Sequence, residues 1–455
     1  MSGWVGQQPD RPRVTVTELQ GVLSRHLAYL RRQPGGARAN FKLRDLAHLD
    51  LSGADLRDAD LSGARLFGTR LTGAVLTGAI LYAADLRLAN LERADLRRTD
   101  LRGACLRGAV LSEAQMSDSD LRDGTIMHVR GNGELALHEF EAVEVHTELS
   151  AATIRAADLS RARLANGFIM QTDLTDAVLR GTKFYRANLT NSTLIGCDLQ
   201  GADLREANLT GTRLNGANLI GAELDAAILV NADLVGAIMD DQTQRRANLT
   251  DAILPRSPAK AGQDLPSVLA DHARWVDSQG RQGQRADLSA LDLAGVDLSG
   301  RNLSAAVFHC TVLRGARMAG AQLAMADLSL ADLRGADLTG ADLRGATLER
   351  ATLSAAVLAG ANFGPVRIQS GSPRLWSANL QRARLDGADL TGADLHQATL
   401  AQANFTGAVL RSARAEGASL VGADLTDAQC EGLHLAGADL AEARTVGALG
   451  LPPLH

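Results

Sequence analysis

The motif A-D-L-x-G returns every five residues along most of this chain, and that period constrains the fold more than any other feature. Gly53-Ala54-Asp55-Leu56-Arg57 runs directly into Asp58-Ala59-Asp60-Leu61-Ser62. The repeat is clean over 41–126, 151–254 and 288–368, and in the last block, 380–455, up to Leu440. With one unit per large apolar centre, the four blocks hold about 18, 21, 17 and 13 repeats, roughly 69 in all. On an α-helix, centres five residues apart would rotate by about 140° per step and form no stripe. On a straight strand, an odd period sends successive Leu side chains to opposite faces. A chain that turns a corner once per repeat keeps them all on one side.

The period therefore predicts a β-solenoid. Its core is a ladder of Leu, represented by Leu56, Leu61, Leu96, Leu204, Leu209, Leu333, Leu338 and Leu390. The small residue two places earlier points inward as well, as at Ala54, Ala59, Ala202 and Ala331. Asp or Asn before each Leu can accept hydrogen bonds from the corner backbone, and Gly relieves the dihedral angles there. An aromatic content of 3% suits so thin an interior. The period leaves three or four sides per coil equally open.

These residues closely resemble the pentapeptide-repeat family, whose signature is A-[D/N]-L-x-x, over roughly three quarters of the chain. The resemblance implies an all-β solenoid, specifically a right-handed quadrilateral parallel β-helix with four repeats per coil. About 17 coils spaced as strands would then extend roughly 80 Å.

The segments between the blocks divide the chain further. Residues 1–40 read as a tail and a short amphipathic cap helix from Glu18 to Leu30, with Leu19, Leu23 and His26 on its apolar face and a capping box at Thr17 and Gln20. Residues 255–287 read as a linker and a second cap helix, Asp264 to Ser278, with Leu265, Leu269 and His272. Aligned without gaps, Leu19, His26 and Tyr29 fall on Leu265, His272 and Trp275. One inserted residue then matches Arg38-Ala39-Asn40-Phe41 to Arg285-Ala286-Asp287-Leu288. A tandem duplication follows: a cap helix and a solenoid, twice. Residues 127–150 are an irregular, acidic excursion, and 369–379 (within GPVRIQSGSPRLWSAN) are a loop excursion. Excursions from a regular scaffold are natural places for recognition.

Charge and motifs exclude several classes. Net charge is −5, with no basic stripe to follow a phosphate backbone, so no direct nucleic-acid binding is expected. No apolar run is long enough to span a membrane, and no apolar leader segment precedes the repeats; the expected setting is the cytoplasm and the expected state a monomer. The aspartates recur with the repeat and read as structural. No catalytic, metal-binding or cofactor-binding constellation emerges, so an enzyme is not expected. Cys197 and Cys430 should face inward, Cys105 and Cys310 outward. Outward apolar residues suggest partner surfaces: Phe67 with Tyr82, and Ile220 stacked beside Ile238. Phe140 and Trp376 in the excursions, and a basic cluster at Arg97, Arg102 and Arg107, complete that set.

The leading functional expectation is a non-enzymatic protein-binding or scaffolding module with a protein partner. The family resemblance implies a second reading, a DNA-mimicking protector of a bacterial type II topoisomerase (gyrase), and a third, a secreted or cargo-linked effector. This chain departs from the gyrase-protecting type in its balanced charge, its greater length and the absence of a C-terminal dimerising-helix pattern.

Overall fold

A computed structural model describes residues 11–125, 127–129, 135–137, 144–368 and 374–451. They fall into two compact units, one within Met1–Asp233 and Ile238–Ile253, the other within Leu234–Ala237 and Leu254–His455.

Within each unit the backbone winds in coils of four repeats. Parallel bridges join Asp55 to Val75, Asp60 to Ile80 and Asp337 to Val357, each pair twenty residues apart. Each repeat turns through a tight corner. At Leu56–Ala59 the Ala59 N–H donates to the Leu56 carbonyl at 3.0 Å, and Asp58, third in the turn, has φ +58°. A positive φ at the third place is the mark of a type II turn. Glycine fills that place at Gly53 and Gly335, but Asp58, Leu88, Arg93, Asn166 and Met325 adopt it too. The Asp or Asn before each Leu closes the corner, as where the Ser62 N–H donates to Asp60 Oδ1 at 2.9 Å.

The expected core is present. Leu56, Leu61, Leu96, Leu204, Leu209, Leu333, Leu338 and Leu390 are buried, as are Ala59, Ala202 and Ala331. Ala54 is only half-buried, because it lies in the first coil, which has a coil neighbour on one side alone. The interior also takes more rings than expected: Phe41, Phe184, Phe308, Phe363 and Phe405 occupy Leu positions and are fully buried. Where Ser, Thr or Cys replaces the inward Ala, its side chain donates to a backbone carbonyl, either within its own coil, as Thr99 does to Leu96 at 2.7 Å, or one coil back, as Thr182 does to Leu159 at 2.8 Å. Cys197 does the same to Leu174 at 2.9 Å, so a buried polar group is satisfied.

Three breaks interrupt the winding. Cys105 pairs with Glu148 and Thr347 with Asn379, 43 and 32 residues apart rather than 20, so 23 and 12 residues leave the coil. The first excursion holds β1 (Gly124–Thr125), β2 (Met127–Val129), β3 (Leu135–Leu137) and β4 (Glu144–Val145), with β1 antiparallel to β4 and β2 to β3. Coil pairing resumes at Glu148, inside the segment 127–150 expected to be irregular. The third break is a helix unforeseen in the repeat block 151–254. This helix, α2 (Asp241–Arg246), starts where Asp240 Oδ1 accepts from the Thr243 N–H at 2.7 Å and Oδ2 from the Gly221 N–H at 2.6 Å. The other excursion, in the second unit, is a hairpin of β5 (Val366–Ile368) and β6 (Arg374–Trp376).

The helix α1 (Val16–Leu30) starts earlier than expected, capped by Thr15, whose Oγ1 accepts from the Glu18 N–H; α3 (Leu265–Asp277) is capped by Asp264. Leu19 is buried, Leu23, Leu265 and Leu269 are partly buried, and Tyr29 is exposed while its counterpart Trp275 is half-buried. Each helix is latched to its first coil by the paired histidine. His26 Nδ1 accepts the Ala39 N–H at 3.0 Å, and His272 Nδ1 accepts the Ala286 N–H at 3.1 Å. Both histidines are 0% exposed, and each stacks on an aromatic ring, Tyr29 at 5.9 Å and Trp275 at 5.7 Å, both at 16°. Gly36 and Gly283, equivalent in the two copies, approach the helix backbone so closely that a Cβ would collide with Tyr29 and Ala28, or with Asp271 and Trp275.

The latch needs a neutral imidazole, since Nδ1 must accept. Burial lowers the pKa of both histidines; Asp55 and Asp58 oppose this at His26, while Arg38 there and Arg285 at His272 reinforce it. The unfolded histidines titrate near 6.5, so their contribution to stability is complete above that pH and declines as pH falls through and below it. Urea midpoints from pH 8 to pH 5 should therefore decline, with a shallower decline in the double variant His26→Ala, His272→Ala. Each substitution should itself cost about 1–3 kcal/mol at pH 8, by leaving a buried N–H unpaired.

Candidate interaction surface

The repeat places one residue after each Leu on the outer wall, beside the Asp that precedes that Leu. Where it is Arg, the two form a bidentate pair: Arg97 Nη2 lies 2.6 Å from Asp95, and Arg102 Nη2 lies 2.7 Å from Asp100. Hydrogen bonds from Arg97 hold the Asp95 carboxyl at about 2, and Asp100 raises the Arg102 pKa. Arg107 is 4.0 Å from Glu148. The expected basic cluster is therefore largely neutralised by carboxylates of the same wall. Such exposed pairs contribute little to stability, about 0–1 kcal/mol each, but they cancel local charge.

The apolar groups fare differently. Phe67 is half-buried, with Arg65 and Arg87 guanidinium groups 5.8 and 5.6 Å from its ring centre and His48 against it edge-on. Tyr82 carries Arg102 at 5.5 Å. Both rings are thus committed to cation–π packing within the wall. Ile238 is buried and pairs with Asn218, not Ile220; it precedes its repeat's central residue, whereas Ile220 follows its own, so the two lie in different columns. Ile220 itself is half-buried. Phe140 lies outside the described residues.

Trp376 leads to the site that the sequence did not assemble. Its indole Nε1 donates to the Gly345 carbonyl at 3.0 Å, which ties the β5–β6 hairpin to a coil corner. Trp376 and Leu375 remain 51% and 52% exposed. Beside the hairpin, a groove of about 710 Å³ runs along the second unit. One wall is the end of α3, with Trp275 and Val276; the other is β5, with Val366 and Arg367; the floor is the corners at Ala305 and Met325. Met325 is 42% exposed. The sequence had marked Trp275 as a cap residue and Trp376 as a surface residue, without bringing them to one place. Aligning corners in steps of twenty would have shown a clue, the small or apolar run Ser304-Ala305 and Ala324-Met325. A smaller groove of about 450 Å³ lies at the root of the first excursion, lined by Arg107, Glu148, Met170, Gln171 and Asn191.

The family is decided by the repeats themselves. The family model for pentapeptide repeats matches within 37–123, 172–241, 284–364 and 374–441, well over half of the chain. The chain belongs to the pentapeptide-repeat family. Among solved structures, this pentapeptide-repeat protein is similar to one from the Arabidopsis thaliana thylakoid lumen, at 26% identity, 27% of this chain, 69% of that chain and a TM-score of 0.20. It is also similar to HetL of Nostoc sp. strain PCC 7120, a protein involved in heterocyst differentiation regulation, at 23% identity, 82% and 92% coverage and a TM-score of 0.16. A third is QnrB1, a plasmid-mediated fluoroquinolone resistance protein, at 17% identity, 49% and 93% coverage and a TM-score of 0.21. No curated protein matched the chain.

The cysteines also depart from expectation, since all four are buried, including Cys105 and Cys310. Cys105 Sγ lies 3.7 Å from Glu148 Oε2 in the next coil. Burial, aided by Glu148, raises the Cys105 thiol to about 11, and burial raises Cys430 to about 11. Because the thiolate is the nucleophile, both should resist iodoacetamide at neutral pH in the native protein and react in guanidinium chloride, as read by mass spectrometry.

Proposed function

We propose that this pentapeptide-repeat protein is a non-enzymatic protein-binding or scaffolding module of the cytoplasm. Each unit serves as a right-handed, four-sided β-helix, and the groove between α3 and the β5–β6 hairpin is its docking surface. One observation carries this reading: an apolar groove flanked by half-exposed Trp376 and Leu375, on a wall where Arg334 pairs with Asp332 and Arg344 with Asp342. An apolar surface of this kind gains by being covered.

Removing residues 365–376 should test it cleanly. That excision takes out twelve residues, the number inserted between Thr347 and Asn379, and so restores the twenty-residue register. The shortened protein should keep its circular dichroism spectrum and lose a partner that the intact protein captures from cell extract, identified by quantitative mass spectrometry. Undiminished capture would move the docking surface elsewhere.

The gyrase reading asks for a DNA-like negative surface. Here net charge is only −5 across 455 residues, and pairs such as Arg205–Asp203 and Arg344–Asp342 cancel charge along the wall. Supercoiling by purified bacterial gyrase, with or without a fluoroquinolone, should be unchanged by micromolar protein. A shift in either direction would favour gyrase as the partner.

A further inference from the structure

The two copies allow the groove to be compared with its own duplicate. Its floor is built on three corners one coil apart: Ser304-Ala305, Ala324-Met325 and Arg344-Gly345. The matching corners of the first unit are Arg57-Asp58, Thr77-Gly78 and Arg97-Arg98. Backbone geometry does not demand this difference. The second corner residue has φ +61° at Ala305 and +58° at Met325, against +58° at Asp58 and +57° at Arg98. Charged side chains therefore fit the same backbone, and where the groove runs Ala305 stands in place of Asp58, while Met325 adds an apolar side chain where the first unit has Gly78.

The walls add direction. β5 pairs with β6 on one side, and its other edge has no backbone partner among the described residues. An unpaired edge beside an apolar groove is the arrangement that accepts an added strand. Trp275, Val276 and Val366 are half-buried and Met325 is more exposed, so each retains apolar surface to bury. Arg344 is held by Asp342 at 2.7 Å. Arg367 is exposed and has no ion-pair partner among the described residues, so it sets the charge of the rim.

We propose that the groove takes an extended segment of a partner protein in which apolar side chains alternate with acidic ones. Its backbone pairs along β5. Because side chains of a strand alternate, one set enters the groove against Trp275, Val276 and Met325 while a carboxylate of the other set reaches Arg367. A basic segment is repelled there. A helix offers no free backbone groups to β5.

This rests on the reading of the groove as the docking surface and narrows it to one class of partner. Random dodecapeptides displayed on phage are selected on the full chain, and the consensus peptide is synthesised and titrated by fluorescence anisotropy. The expected consensus has apolar residues at alternate positions and Asp or Glu between them. Its affinity should fall at least tenfold with Met325→Arg and with Arg367→Glu. Replacing the peptide's acids by Lys should restore binding to Arg367→Glu. Circular dichroism and thermal melts verify that both variants are folded. The proposal is overturned by failure to enrich any peptide, by a basic consensus, by helical i, i+3, i+4 spacing, or by binding indifferent to both substitutions. Should any of these occur while partner capture still requires 365–376, the extended acidic segment is wrong and the docking surface stands. If capture is independent of 365–376 as well, both fall.

Discussion

Each coil exists because its neighbour completes its hydrogen bonds. The Leu56 N–H donates to the Val75 carbonyl at 2.7 Å, and the Val75 N–H donates to the Ala54 carbonyl at 2.9 Å. This exchange recurs up each unit, and away from the excursions it ties a repeat to the one twenty positions on. A coil cannot bury its Leu and Ala alone, so stability resides in the stack. The same exchange explains the form of the interruptions. Extra residues can leave at a corner and return, but the chain must re-enter where the carbonyls of the previous coil wait. Hence 23 and 12 residues depart, and pairing resumes in register at Glu148 and Asn379.

Stack ends are where the exchange runs out. At the first coil of each unit an amphipathic helix covers the opening and lends an acceptor, His26 or His272, to a backbone N–H. The choice of histidine follows from the geometry: a ring nitrogen reaches the N–H, while the ring face packs on Tyr29 or Trp275. The last described coil is less buried than those before it. Val446 and Leu449 are 75% and 58% exposed, and Leu435 and Leu440 are only partly buried.

Between the ends, the wall is electrostatically quiet where Asp and Arg stand two residues apart around a Leu, as at Asp95 and Arg97 or Asp342 and Arg344. This local pairing cancels charge along the wall. In the second unit a hairpin, a helix end and the uncharged corners at Ala305 and Met325 meet around one groove, which Arg344 and Arg367 also line.

How far the residues alone foretold this depends on distance along the chain. The inward Leu and Ala, the Asx-closed corners and the duplicated cap histidines were legible, because each follows from spacing within a few residues or from direct repetition. α2 was missed because Asp241–Arg246 sits inside an apolar periodicity that reads as repeats, and only the Asp240 cap marks it. The outward patches were misjudged at Ile238, and the cysteines at Cys105 and Cys310, because sequence period assigns a direction but not what covers it. Sequence by itself determined a chain that must turn every five residues and bury one Leu each time, since no other backbone keeps those side chains together. Tertiary structure alone decided that four repeats close a coil, and that Trp275, Met325 and Val366 share a groove. Those residues meet through twenty-residue stacking and a hairpin that returns to it, and neither relation is written in any local stretch of the chain.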